Sequence, residues 1–320
     1  MAAPAPKPLY RDPIMDGAAD ASIIYDRGAR EWKMFYTNRR ATLRLEDPKD
    51  VAWVHATPIG IARSDDGLHW RYQGTAEFPK ECTGETLWAP ETYYEAGTYH
   101  LWLTVVPGVF HRWGIPEATS RIVHLTSTDL QRWACADVLD LGSSRVIDAS
   151  VVKIGSRYRL WFKDERAHSG IFVAESDAPS GWTRTGKSPV MPAAAEGPKV
   201  FRFKGKYWLI ADAWKGLVVL SSYDATSWTQ QPSRILERPG SEPTDRDKGQ
   251  HPEVVVSGSG DQERAFIFYF VHQGNEPEAA SDPYWKQRTL IQVAELELRD
   301  GGLIVDRNRR IEFTLQPPGE

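Results

Sequence analysis

The sequence predicts an all-β fold, a five-bladed β-propeller with four antiparallel strands per blade, and three observations predict it. A short phrase recurs five times, each time opening an apolar run: Asp20-Ala21-Ser22-Ile23-Ile24, Ala89-Pro90-Glu91-Thr92-Tyr93, Asp148-Ala149-Ser150-Val151-Val152, Glu196-Gly197-Pro198-Lys199-Val200 and His251-Pro252-Glu253-Val254-Val255. After each comes a turn and an aromatic-rich run, at residues 32–37, 99–104, 158–163, 207–211 and 266–271. A third run ends, in four of the five units, in a Ser/Asp turn and a tryptophan, at Trp70, Trp133, Trp182 and Trp228. Helical periodicity is almost absent. The repeat makes residues 1–320 a single domain with blades at roughly 10–75, 85–140, 145–190, 195–235 and 250–315.

Each element has a local reason. The runs are about five to seven residues long, β-branched and aromatic, and bounded by Gly, Asp or Ser, which is how hairpins read. Reversals between first and second strands fall at Arg27-Gly28, Ala96-Gly97, Ile154-Gly155-Ser156 and Lys204-Gly205. In blade one, Ser64-Asp65-Asp66-Gly67-Leu68-His69-Trp70 resembles the Asp-box turns that tie propeller blades at the periphery. First strands line a central channel, so the residue opening each of them sits at one mouth. Antiparallel pairing returns the second strand to the same mouth, where loops begin at Asn38, Thr104, Lys163, Asp212 and His272. Three of these loops are long, 38–58, 105–121 and 273–288, and loops of that length are usually functional or disordered.

Composition narrows the function. The chain has 13 Trp, 12 Tyr and 11 Phe, enough aromatic surface for a large core. Its net charge is only -4 with no long basic run, which argues against nucleic acid or a membrane as partner and for a small or neutral one. Oligomeric state is open. Cys82 and Cys135 stand far apart and are expected to be ordinary buried thiols. The Ala/Pro-rich start lacks the apolar core of a signal peptide, and no stretch is long enough for a membrane span. As given, the chain is expected in the cytoplasm, or secreted or periplasmic if a leader was removed.

Asp20, Asp148 and Glu196 are the candidate catalytic residues. Three carboxylates at the ends of apolar strands around one channel face desolvation and mutual repulsion, which spread their pKa values apart. One ionised and one protonated carboxyl group near neutral pH is what acid/base cleavage of a glycoside requires. The plainer alternative is that each strand-opening Asp is a turn former bonding local amides. Asp16 offers a second carboxylate four residues before Asp20, whose register is better. Rim residues supply candidate substrate contacts: Arg39, Lys163, Trp214 and His272 follow second strands, Trp88 can stack on a sugar ring, and Glu91 and His251 open blades two and five. No metal site is indicated, because no His/Cys/Asp set shows ligand spacing.

The segment from Asp12-Pro13-Ile14 to Ala19-Asp20-Ala21-Ser22, Trp88-Ala89-Pro90-Glu91 with Tyr93 and Tyr94, Val146-Ile147-Asp148-Ala149-Ser150, Glu196-Gly197-Pro198 and Gly249-Gln250-His251 resemble, in order, the motifs of five-bladed propeller glycosidases of glycoside hydrolase family 43 and its relatives, clan F and neoagarooligosaccharide hydrolases among them. The resemblance implies an inverting hydrolase in which Asp20 is the base, Asp148 tunes and orients, and Glu196 is the general acid. It implies that His251 lies beneath the site holding a water or a structural calcium ion, and that no cofactor is required. Relatives commonly have proline where this chain has Ala21. They hydrolyse arabinofuranosides, xylosides, galactofuranosides or anhydrogalactose-capped oligosaccharides, so the expected partner is an oligosaccharide or glycoside. Inversion needs the acid and base carboxyl groups about 6.5 to 9.5 Å apart. Two other readings stand beside this one: a phosphate-dependent phosphorylase using Arg39, Arg40, Lys163 and His272, and a non-catalytic carbohydrate-binding propeller.

Overall fold

In the computed structural model, which describes residues 4–319, β1 (Ala18–Asp26), β2 (Glu31–Asn38), β3 (Ile59–Ser64) and β4 (Arg71–Thr75) form the first blade. Residues 1–3, part of the Ala/Pro-rich start, and residue 320 lie outside the described residues. Blade two is β5 (Thr86–Glu95), β6 (Thr98–Val106), β7 (Arg121–Ser127) and β8 (Ala134–Val138). Blade three is β9 (Val146–Ile154), β10 (Arg157–Asp164), β11 (Gly170–Ser176) and β12 (Thr183–Thr185), and blade four is β13 (Glu196–Phe203), β14 (Lys206–Asp212), β15 (Leu217–Ser222) and β16 (Thr229–Gln230). Blade five is β17 (Gln250–Ser257), β18 (Arg264–His272), β19 (Thr289–Arg299) and β20 (Gly302–Val305). Every sheet runs in simple sequence order, as an antiparallel meander must. Inner strands touch in the order β1, β5, β9, β13 and β17, and β17 touches β1, which closes the ring. The fold is the all-β five-bladed propeller that the repeat predicts.

The core lies between blades rather than inside one. Five apolar clusters join blades one and two, two and three, three and four, four and five, and five and one. A blade is one sheet with two apolar faces, so each must be covered by a neighbour. The turn tryptophans serve this purpose. Trp133 of blade two packs edge-on against Phe35 of blade one, Trp182 of blade three against Trp102 of blade two, and Trp228 of blade four against Trp161 of blade three. Their turns are tied locally: Asp66 Oδ1 accepts from the backbone N–H groups of Leu68 and His69, and Asp129 and Asp224 do the same in blades two and four. The chain ends seal blades five and one, through Tyr10 bridging Ile291, Phe313 stacked on Phe266, and the Leu315 N–H donating to the Asp66 carbonyl.

The expectation for the cysteines is corrected. Cys82 and Cys135 form a disulfide, their Cα atoms 5.5 Å apart across a sequence separation of 53. The blade brings them together: Cys82 lies in the turn before β5, and Cys135 on the outer strand β8 that folds back beside that turn.

Candidate active site

One irregularity, repeated five times, builds the site. In every inner strand two residues oppose a single residue of the second strand: Asp20-Ala21 face Tyr36, Ala89-Pro90 face Leu103, Asp148-Ala149 face Phe162, Gly197-Pro198 face Ala211, and His251-Pro252 face Tyr269. These are β-bulges, which leave a residue unpaired and re-aim a side chain. The first residue of each has a left-handed backbone, with φ of 50° at Asp20, 44° at Ala89, 60° at Asp148, 53° at Gly197 and 41° at His251. Such a conformation costs a non-glycine residue about 1 to 3 kcal/mol and collects at functional sites. Proline is tolerated at the second position because that residue is outside the ladder.

Four of the five bulge N–H groups find side-chain acceptors on the preceding blade. Ala89 donates to Thr37 Oγ1 at 2.9 Å, Asp148 to Thr104 Oγ1 at 3.1 Å, Gly197 to Asp148 Oδ2 at 2.9 Å and His251 to Asp212 Oδ2 at 3.3 Å. Asp20, Asp148 and His251 thereby line one cavity of about 90 Å³ at the channel mouth. Glu196 lines it too, but from one residue before its bulge, the position held by Trp88 in blade two. The sequence reading sets Glu196 level with Asp20 and Asp148; in the structure the level residue is Gly197.

Each carboxylate has its own environment. Burial works to raise the pKa of Asp20, but Arg39, with Nη2 3.2 Å from Oδ1, and His251, with Nδ1 3.4 Å away, outweigh it and hold the group below its ordinary value. Asp148 goes the other way: burial pushes it up to about 6, against the pull of His251 and with the charge of Glu196 adding. Burial disfavours the charged form of His251, yet Asp20, Asp148, Glu196 and Asp212 around it raise its pKa. Glu196 Oε2 accepts from Lys163 Nζ at 2.9 Å. Arg39 packs its guanidinium over Phe270, 4.5 Å from the ring centre, which fixes the cation beside Asp20.

The expected residues divide. Asp20, Asp148, Glu196, Arg39, Trp88, Lys163 and His251 surround the cavity. Glu91 does not reach it, because it lies one tier deeper, two residues past the bulge start, bonded to Lys199 at 2.8 Å. His272 is behind Arg39, its ring edge-on to Trp53 and Phe270, and burial holds its pKa down near 4. Trp214 is outside the lining, half-exposed, its ring centre 5.4 Å from Lys163 Nζ. Asp16 is also outside, clamped by Arg11 and Arg288. Sequence reasoning missed Asp212, buried and pushed up to about 6 by burial and by Glu196, its cross-strand neighbour. It missed the lining residues Glu165 as a partner of Lys163 and Trp113, exposed on the 107–120 loop. The signal for Asp212 was positional: it lies near the end of a second strand, opposite the residue before the bulge, as Thr37, Thr104 and Lys163 do.

Around His251 the donor set suits a water better than a calcium ion. Calcium takes six to eight oxygen ligands. Asp20 is engaged by Arg39, and Asp148 and Asp212 accept backbone N–H groups. Among the described residues no three His, Cys, Asp or Glu side chains are arranged to hold a metal.

A family model described as a probable glycosyl hydrolase domain, of the type related to glycoside hydrolase family 43, matches residues 11–241. No curated protein matches the chain in sequence. Among solved structures, a family 43 β-xylosidase/α-arabinofuranosidase from a compost microbial metagenome, in complex with xylotriose in a calcium-free form, is similar with a TM-score of 0.65 at 14% identity, over 95% of this chain and 97% of that one. A xylan β-1,4-xylosidase from Bacillus halodurans is similar with a TM-score of 0.63 at 16% identity over 97% of this chain, which spans 60% of that longer one. A mutant α-L-arabinanase from Cellvibrio cellulosa has a TM-score of 0.57 at 17% identity, over 91% and 95% of the two chains. At these identities the likeness speaks to the fold.

Proposed function

This chain belongs to the probable glycosyl hydrolases related to glycoside hydrolase family 43, and on that premise we propose that it is an exo-acting, inverting glycosidase releasing a terminal sugar from an oligosaccharide. Glu196 is the general acid, giving its proton to the glycosidic oxygen as the bond to the anomeric carbon breaks. Asp20 is the general base, taking a proton from the water that attacks the opposite face. Asp148, pushed up to about 6, tunes the site between them.

The observation that carries this reading is the meeting of three carboxylates from blades one, three and four on one cavity, with opposite pKa shifts at Asp20 and Asp148. Inversion is supported by the family to which the chain belongs. Exo action is supported by a small cavity walled by the loop carrying Trp113. Of the sugar classes considered, xylosyl and arabinofuranosyl are suggested by the xylosidase, arabinofuranosidase and arabinanase neighbours. Phosphorolysis is less well supported, since Arg39 and Lys163 are each taken up by a carboxylate. The Cys82–Cys135 bridge favours an oxidising compartment over the cytoplasm.

Glu196→Gln and Asp20→Asn are expected to lower kcat on a cleaved aryl furanoside or xyloside by roughly two to four orders of magnitude with ligand affinity nearly unchanged. Kinetics together with calorimetric binding check this, and proton NMR of the first product anomer checks inversion. Equal loss of binding and turnover in both variants would turn the site into a lectin-like one.

A further inference from the structure

The acid assignment leaves a tension at Glu196, and the inference that resolves it rests on that assignment. A proton donor has to carry a proton, yet Lys163 Nζ lies 2.9 Å from Glu196 Oε2, where an ammonium favours the carboxylate. The same nitrogen is 3.2 Å from Glu165 Oε1, and Arg145 Nε bonds the other oxygen of Glu165. Lys163 is buried, its side chain 4% exposed, so it has little freedom beyond these two carboxylates and the face of Trp214.

The repeat makes Lys163 an exception. Thr37, Thr104, Lys163, Asp212 and Phe270 hold equivalent places, each opposite the residue before a bulge, and Lys163 is the one cation among them. Thr37, Thr104 and Asp212 accept the bulge N–H of the next blade. An ammonium accepts nothing, and the Gly197 N–H goes to Asp148 instead. Blade three thus makes its inter-blade latch from Asp148 rather than from this position, which holds a cation against the acid. The other charged groups facing Glu196 are Asp148 from β9, Glu165 beyond β10, Asp212 from β14 and His251 from β17, with Asp20 from β1 on the same cavity.

We propose that Lys163 is a positioning residue whose ammonium is shared between Glu165 and Glu196, lying toward Glu165 while Glu196 carries its proton and closing on Glu196 as that proton leaves. The glycosidic C–O bond breaks with its electron pair kept by the oxygen, the proton of Glu196 joins that oxygen, and the carboxylate left behind gains the ammonium. The interaction strengthens as charge develops, which is the kind that lowers a barrier. Arg145 holds Glu165 in place as the second seat.

The test compares kcat/KM against pH for the wild type, Lys163→Met, Lys163→Arg and Glu165→Gln, alongside carbon-13 NMR titration of labelled glutamate side chains with Glu196→Gln as the assignment control. Lys163→Met is expected to lower kcat about 100-fold and to move the alkaline limb up by about one pH unit. Glu165→Gln leaves the ammonium undivided on Glu196 and moves the limb down, while Lys163→Arg returns it toward wild type. The Glu196 signal follows the same opposite directions. If no glycoside is cut and the NMR shifts still oppose, the hydrolase reading and the catalytic role of Lys163 fall together, and only the sharing of its ammonium between Glu165 and Glu196 stands. Shifts in the same direction, or none, overturn it; should Lys163→Met not fold, the downward move in Glu165→Gln and its absence decide alone.

Discussion

Two residues past the bulge start, the five inner strands present Ser22, Glu91, Ser150, Lys199 and Glu253 as a second tier below the cavity. Lys199 of blade four reaches Glu91 of blade two and Glu253 of blade five, each at 2.8 Å. One cation between two carboxylates leaves one negative charge too many, and burial, against the pull of Lys199 and with Glu91 adding, pushes Glu253 up to about 7. A group raised in the folded state above the unfolded value of about 4.3 contributes stability below that pH and loses it as pH rises through about 7. Glu253→Gln keeps the shape without the ionisation, so urea denaturation is expected to show a flatter pH dependence of stability across that window than in the wild type. Lys199→Met is expected to cost roughly 3–5 kcal/mol at neutral pH, because it strands buried charge. Comparable losses in the two variants at neutral pH would contradict this account. Asp20 and Asp148 were legible in the sequence because each opens an apolar run in near-identical words. Asp212 and Glu165 were not, since a carboxylate at the end of a strand reads like any solvated loop until the blades are assembled, and Arg145, just before β9, reads like any solvated loop cation.

Among the elements, the inner strand with its bulge is what the sequence half revealed. Pro90, Pro198 and Pro252 share the second bulge position, and alignment on them would have set Gly197, not Glu196, level with Asp20. The bulge itself depends on a left-handed residue, which pattern alone does not announce at Asp20, Ala89, Asp148 or His251. Gly197 is where the requirement is strictest: φ is 53°, and a β-carbon there would lie 2.7 Å from His251 Nδ1. Gly197→Ala is therefore expected to displace the imidazole that pairs with Asp20, lowering kcat at least tenfold and the melting temperature by several degrees. Gly205→Ala also suffers a positive φ, but nothing lies within 4 Å of the new carbon. It is expected to lose stability while keeping activity, which kinetics and thermal melts on the pair will separate.

Over the whole molecule, five interlocking apolar layers and the closure of β17 on β1 make the ring a unit whose count of blades was readable from its period. The disulfide was not readable, because 53 residues separate its ends and only the return of β8 brings them together. Its loop length gives about 4 kcal/mol on the chain-entropy view. The double variant Cys82→Ser/Cys135→Ser is expected to melt lower, with kcat below the transition unchanged, since the bridge lies in blade two away from the cavity. A loss of kcat at low temperature would show that the bridge also shapes the site. The tier crossed by Lys199 has a consequence for traffic. Lys199 links the inner strands of blades two, four and five beneath the well, so under the proposed reaction a severed sugar is expected to back out through the doorway by which it arrived.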